Sequence, residues 1–275
     1  MKKREAMLRE LHLYPLWKLR EGRGTAPENP AMPAPPVEAG LQPAPVLEER
    51  AISPADAAST ANVGPQPVAL APAAETLDEA GTSRIQHIAG LDWPELRVMV
   101  RDCTACRLRA GCTQTVFGVG DEQADWLFVG EGPGADEDIK GEPFVGQAGK
   151  LLDSMLASIK LRRGDNVFIA NIVKCRPPNN RTPAADEIAT CIPYLWRQIA
   201  LIRPKLIVAL GKTAATSLLK RDVPIGSLRG KLHDYQGISL IVTYHPAYLL
   251  RSPMEKAKAW EDLCFAVRVM RGEKS

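Results

Sequence analysis

Four short apolar runs, Trp126 to Val129, Val167 to Val173, Leu206 to Leu210 and Leu240 to Thr243, are each followed by residues with helical apolar spacing. This alternation constrains the fold more than any other feature of the chain. Continuous apolar runs suit strands buried on both faces, and strands separated by helices run parallel, because each crossover returns the chain to the same end of the sheet. Leu151, Leu152, Met155, Leu156 and Ile159 form one helical stripe. Another helix is expected to start with Thr182 as cap and Pro183 in its first turn. The last is expected at Ser252-Pro253-Met254-Glu255, which has capping-box spacing. The expected fold class is α/β, a parallel sheet covered on both faces with its working loops at the carboxyl ends of the strands.

The 275 residues, 45% hydrophobic and 24% charged, allow one or two globular domains. Residues 25–84 are rich in Pro, Ala and small polar residues without sustained periodicity, and read as a linker that cannot bury enough surface to offset the entropy of ordering. Before it, residues 1–24 read as a basic amphipathic segment with Leu8, Leu11, Leu13, Leu16 and Trp17, expected to dock on its own domain or on a partner protein, with a nucleic-acid arm as the lesser alternative. The folded domain is expected over 85–275. No run of about 18 apolar residues occurs, and MKKREAMLRELH lacks the apolar core of a secretory signal, so a cytoplasmic protein is expected. The net charge of +3 decides little, but basic residues cluster beside the strand-following loops: Lys174, Arg176 and Arg181, then Arg229 and Lys231, then Arg251, Lys256 and Lys258.

Six cysteines are too few for a disulfide scaffold, and four of them are patterned. Cys103 and Cys106 make a C-x2-C turn, while Cys175 and Cys191 bracket the segment RPPNNRTPAADEIAT. Such spacing suits a metal centre tying two distant segments together. Zinc is the rival occupant, but zinc ribbons use two tight knuckles and here fifteen residues separate the second pair. Cys112 and Cys264 stand outside the pattern.

The loop after the first run, Gly130-Glu131-Gly132-Pro133-Gly134-Ala135-Asp136-Glu137-Asp138, satisfies a G-x-G-x-x-A dinucleotide fingerprint only literally. Pro133 removes an amide that would bind pyrophosphate, and the acidic residues stand where an anion would approach. Gly211-Lys212-Thr213 reads as an ordinary helix start, because the phosphate-loop glycine is replaced by Leu206. The acidic loop can instead bring backbone against a flat ligand such as a nucleobase, with Glu131 and Glu137 beside it and Phe144 as a stacking face. Asn171, at a strand end, offers a donor and an acceptor to one heterocycle edge. Tyr244-His245-Pro246-Ala247-Tyr248-Leu249-Leu250-Arg251 adds an imidazole, apolar wedges and a cation. Each residue alone is commonplace; together they fall on loops that a parallel sheet gathers along one edge.

GEGPGADED, GEPFVGQAG, NIVKCRPPNNR and HPAYLLR, with the C-x2-C upstream and Cys191 downstream, resemble the family 4 uracil-DNA glycosylases over roughly residues 85–270. The resemblance implies a three-layer α/β/α fold with a central, mostly parallel four-stranded sheet, and a [4Fe-4S] cluster on Cys103, Cys106, Cys175 and Cys191. It implies removal of uracil from single- or double-stranded DNA by a monomeric enzyme, leaving an abasic site after the base is flipped out. Phe144 would stack on the uracil against the backbone at Gly132, Asn171 would read O4 and N3-H, and His245 would donate to O2. Glu137 would exclude thymine, while Asn180, with Glu131 ordering its loop, would position water. Leu249 or its neighbour Leu250 would wedge into the base stack. Arg176, Arg181, Arg229, Lys231 and Arg251 would hold phosphates. A replication or repair protein is the partner expected for the amino-terminal segment.

Two other readings stand beside this one. A related class traps uracil-DNA covalently through an added histidine loop, but no histidine lies between Cys175 and Cys191. The third reading is an iron–sulfur nucleic-acid-binding module without turnover.

Overall fold

The computed structural model describes residues 79–273, so the segment at 1–24 and the linker up to residue 78 lie outside the described residues. The first described helix, α1 (Glu79–Gly90), crosses the boundary expected between residues 84 and 85. It is followed by α2 (Trp93–Arg101), whose Asp92 side chain accepts from the Glu95 amide while the Glu95 carboxylate accepts from the Asp92 amide. The short α3 (Leu108–Gly111) follows the first cysteine turn.

One sheet contains β1 (Val119–Gly120), β2 (Trp126–Gly130), β3 (Val167–Asn171), β4 (Leu206–Leu210), β5 (Leu232–Tyr235) and β6 (Ile238–Thr243), in the order β1-β3-β2-β4-β6-β5. The inner four strands are parallel, and β1 and β5 are added antiparallel at the two edges. The expected four-stranded sheet is therefore the centre of a six-stranded one. The edge strands carry little apolar signal: β1 has two residues, and Leu232-His233-Asp234-Tyr235 buries only its tyrosine.

Every residue of β2, β3 and β4 is buried, and alternation sends successive side chains to opposite faces. Leu127, Val129, Phe168, Ala170, Ile207 and Ala209 pack with α2, α6 (Ala185–Ile202) and α7 (Lys212–Leu219). Trp126, Phe128, Val167, Ile169, Leu206 and Val208 pack on the other face with α5 (Gln147–Ser158) and α10 (Lys256–Met270). The layers are thus α/β/α. Short helices α4 (Ala135–Lys140), α8 (Ile225–Leu228) and α9 (Pro246–Arg251) lie in the strand-following loops.

Two helix starts differ from expectation. The proline at 183 disfavours helical backbone at Thr182, and α6 begins at Ala185, with the Glu187 carboxylate accepting from the Ala184 amide at 2.8 Å. At Ser252 no side-chain cap forms. The Glu255 amide donates to the Ser252 carbonyl in a single 3-10 turn, the Glu255 carboxylate takes Lys258, and α10 starts one residue later. No helix among the described residues is long and apolar enough to cross a membrane.

Candidate active site

The parallel register brings the tips of β2, β3, β4 and β6 to one edge, where they surround a cavity of about 910 Å³. Glu131, Gly132 and Gly134 enter it after β2, with Glu137 from α4. Asn171 enters from the end of β3, Asn180 and Arg181 from the following loop, and His245 and Arg251 from the segment after β6. All the residues expected to touch the base or carry the chemistry therefore meet in one place.

Phe144 and Asn171 converge over Gly130. A side chain there would put its Cβ 2.5 Å from both Asn171 Oδ1 and Phe144 Cζ, so only glycine lets the two groups approach. Asn171 is 2% exposed, and its Oδ1 is buried with no hydrogen-bond partner. An unpaired buried carbonyl is costly, and this atom can accept a hydrogen bond from a donor placed in the cavity. Phe144 adopts φ +56°, a left-handed backbone that a bulky residue rarely takes, and its ring lies 5.4 Å from the His245 ring.

His245 caps α9, its Nδ1 accepting the Ala247 amide at 3.1 Å. In the neutral ring the proton therefore sits on Nε2, which is left as a donor. Burial, aided by the nearby Arg251 charge and opposed by Glu137, pulls its pKa down to about 4. The ring is neutral at physiological pH.

The carboxylate of Glu137 accepts from the amides of Gly134, Val145 and Gly146 at 3.1, 2.8 and 3.0 Å, tying the GEGPG loop to the loop that carries Phe144. Its Oε2 lies 2.7 Å from where a Cβ at Gly134 would stand, so Glu137 occupies the space a side chain at that position would fill. Glu131 accepts from the Thr213 hydroxyl at the start of α7. Asn180 is exposed at the rim with its Oδ1 held by Arg176 Nε at 2.7 Å.

The expected phosphate ligands divide. Arg181 and Arg251 line the cavity, while Arg176 sits beside it through Asn180. Arg229 does not face the cavity: its side chain is 11% exposed, pairs with buried Asp262 at 2.7 Å and covers the Tyr244 ring. Lys231 lines a separate groove with Arg229 and donates to the Ser227 carbonyl. Leu249 is 1% exposed in the core, whereas Leu250 is 43% exposed. The helical phase of α9 thus turns Leu249 inward and Leu250 outward.

Cys103, Cys106, Cys175 and Cys191 line one small second cavity. Among the described residues no three His, Cys, Asp or Glu side chains are grouped to hold a single metal ion. The surroundings nevertheless suit an anionic thiolate centre: the Lys174 amide donates to Cys191 Sγ at 3.2 Å, and Arg109 lines the same space. Burial raises the Cys191 thiol to about 11 and pushes Cys175 well up, so neither thiol ionises readily without a cation. Cys112 is buried beside Cys175 but does not line the cavity, and Cys264 lies on α10 in the opposite layer.

Two residues that join these regions were not singled out from sequence. Lys174, named there only as one of the cations beside the strand-following loops, is 1% exposed, and its ammonium donates to the Asn171 carbonyl at 3.0 Å and to Gln198 at 2.7 Å. Glu187 is fully buried and accepts from Arg107, beside the first cysteine turn, and from Arg181 at the cavity rim, both at 2.7 Å. The Arg181 guanidinium is the main reason its pKa falls to about 2. Charge alone gives no sign of burial; the proximity of Lys174 to Cys175 is the signal that was there to read.

Together the fold and site define an α/β protein with a strand-tip pocket that has an aromatic face, a buried amide and a neutral imidazole in its walls. The family profile "Uracil DNA glycosylase superfamily" matches residues 117–264. The chain is 42% identical to a Type-4 uracil-DNA glycosylase of Pyrobaculum aerophilum, over 63% of this chain and 92% of that protein. It is 48% identical to the Type-4 enzymes of Archaeoglobus fulgidus (59% of this chain, 85% of the relative) and Thermotoga maritima (56% and 80%). The chain belongs to the type-4 family of the uracil DNA glycosylase superfamily.

Proposed function

We propose that this protein is a uracil-DNA glycosylase that binds a flipped-out uracil in the strand-tip pocket and hydrolyses its N-glycosidic bond, leaving an abasic site. The observation that carries the reading is Asn171: a buried amide with an unpaired Oδ1, beside an aromatic face and a neutral imidazole. Its Oδ1 takes the uracil N3-H and its NH2 donates to O4. Cytosine, with that edge reversed, leaves the same groups unpaired. Phe144 stacks on the base over the backbone at Gly132, and Glu137 blocks the space a thymine methyl would need.

Negative charge gathers on the base as the glycosidic bond breaks. The His245 Nε2-H faces O2 and stabilises that charge, while neutrality of the ring spares the pocket a buried cation. Water is positioned at the pocket rim by Asn180, with Glu131, fixed by Thr213, behind it. Arg176, Arg181, Arg251 and Lys231 serve phosphates, and Leu250 fills the gap left in the stack.

Cys103, Cys106, Cys175 and Cys191, which line one cavity, would hold a [4Fe-4S] cluster, favoured over zinc because fifteen residues separate the second pair where zinc ribbons use two tight knuckles. Ligation by these four thiols would tie the first cysteine turn to the loop of Arg176 and Arg181, a link that Glu187 already makes through Arg107 and Arg181. The segment at 1–24 tethers the enzyme, a monomer in the cytoplasm, to a replication or repair protein.

Incubation with a uracil-containing oligonucleotide tests the reading. Free uracil and alkali-labile breaks with turnover are expected; a stable adduct would indicate the covalent class, and neither would leave a binding module.

A further inference from the structure

We infer that Arg163, which does not line the pocket, is a positioning residue that sets the ring of Phe144 against the base; the inference rests on the uracil reading above. Arg163 lies in the turn between α5 and β3, 22% exposed. Its Nη1 donates to the Pro143 carbonyl and its Nη2 to the Phe144 carbonyl, each at 2.7 Å. The fork is itself held by Asp153 of α5, which accepts from Nη2 at 2.9 Å and from Nε at 3.2 Å.

These two carbonyls flank the one bulky aromatic residue of the pocket with left-handed backbone, φ +56°. Close approach on both sides leaves the loop no slack. A Cβ at Gly149 would fall 1.8 Å from the Phe144 carbonyl oxygen, and one at Gly130 would fall 2.5 Å from the Phe144 ring. Relaxation of residue 144 to ordinary backbone would swing its carbonyl off the guanidinium and its ring off Gly130. A planar fork that takes two successive carbonyls resists that swing, whereas an ammonium, a point donor, resists it less well. Glu137 secures the next two amides, of Val145 and Gly146, so the loop is gripped immediately before and after the strained peptide.

The test compares Arg163→Gln, Arg163→Lys, Phe144→Ala and the Phe144→Ala/Arg163→Gln double variant on a short uracil-containing oligonucleotide. Arg163→Gln is expected to lower kcat/KM by on the order of 10- to 100-fold, as for a misplacement of about 1 Å. Inhibition by free uracil should weaken with it, Arg163→Lys should recover part of the loss, and the melting temperature should stay near wild type. In the Phe144→Ala background the same substitution should change kcat/KM by less than about twofold, because the ring it positions is gone. Wild-type rates in Arg163→Gln would overturn the inference, as would losses that multiply in the double variant. Should Arg163→Gln fail to fold, Arg163→Lys and Asp153→Asn carry the test, and unchanged rates in both overturn it. If wild type releases no uracil, the functional reading falls and the inference with it.

Discussion

In the strand-tip pocket a buried amide oxygen of Asn171 faces no partner, whereas around the four thiols the buried polar groups are already matched. There Lys174 donates to Asn171 O and Gln198, and Glu187 gathers Arg107, Arg181 and the Ala184 amide. An unmatched group suits a guest that comes and goes, since its cost is relieved only during binding. A matched frame suits a resident group whose loss would leave thiols crowded and un-ionised. The difference separates residues that set rate from residues that set stability, and substitutions can break the separation.

The largest effect is expected on the thiol side. Cys191→Ala should strip iron and visible absorption from the purified protein and lower its melting temperature by roughly 10 °C or more, since a ligand-linked folding contribution is lost. Asn171→Ala should leave iron content and melting temperature close to wild type. A Cys191→Ala protein with full iron and unchanged melting would erase the contrast.

Next comes His245→Ala. Loss of one donor aimed at developing charge typically costs about 10²- to 10³-fold in rate, so single-turnover uracil release should fall by that order while iron content holds. The same side chain sharpens the contrast through pH. The folded-state pKa of His245 is lowered to about 4, against about 6.5 in the unfolded chain. Below pH 6.5 the unfolded state therefore binds a proton that the folded state refuses. Stability should be full above that pH and decline as pH falls toward 4, by on the order of 3 kcal/mol in all. Urea unfolding at pH 7 and pH 5 should show this slope in wild type and a shallower one in His245→Gln. Equal slopes would mean that the imidazole is not held neutral by the fold.

Much of this arrangement was legible in sequence where burial is uniform. The strands β2, β3 and β4 are apolar throughout because both faces are covered, and their loops carry Asn171, Glu131 and Glu137 to the shared edge. The short edge strands were not legible, since β1 has two residues and β5 exposes most of its side chains. Side-chain direction was the other blind spot. Arg229 read as a phosphate ligand and Lys174 as one of the cations beside the site loops, yet one is buried against Asp262 and the other beneath Asn171. Neither fate follows from residue type; both need the tertiary partner to be known.

The smallest expected effect concerns the neighbouring leucines of α9. Leu249 is 1% exposed in the core and Leu250 43% exposed. Leu250→Ala should therefore leave melting unchanged and slow uracil release from a duplex by roughly fivefold, because filling the vacated step offsets part of an unstacking cost of a few kcal/mol. On a single strand, where little stacking is broken, the same variant should work at nearly the wild-type rate. Leu249→Ala should do the reverse, lowering stability through the cavity it leaves without favouring either substrate. If Leu250→Ala slowed both substrates equally, Leu250 would belong to the pocket rather than to the DNA-facing ridge, and the rate-setting region would extend further along α9 than its exposure suggests.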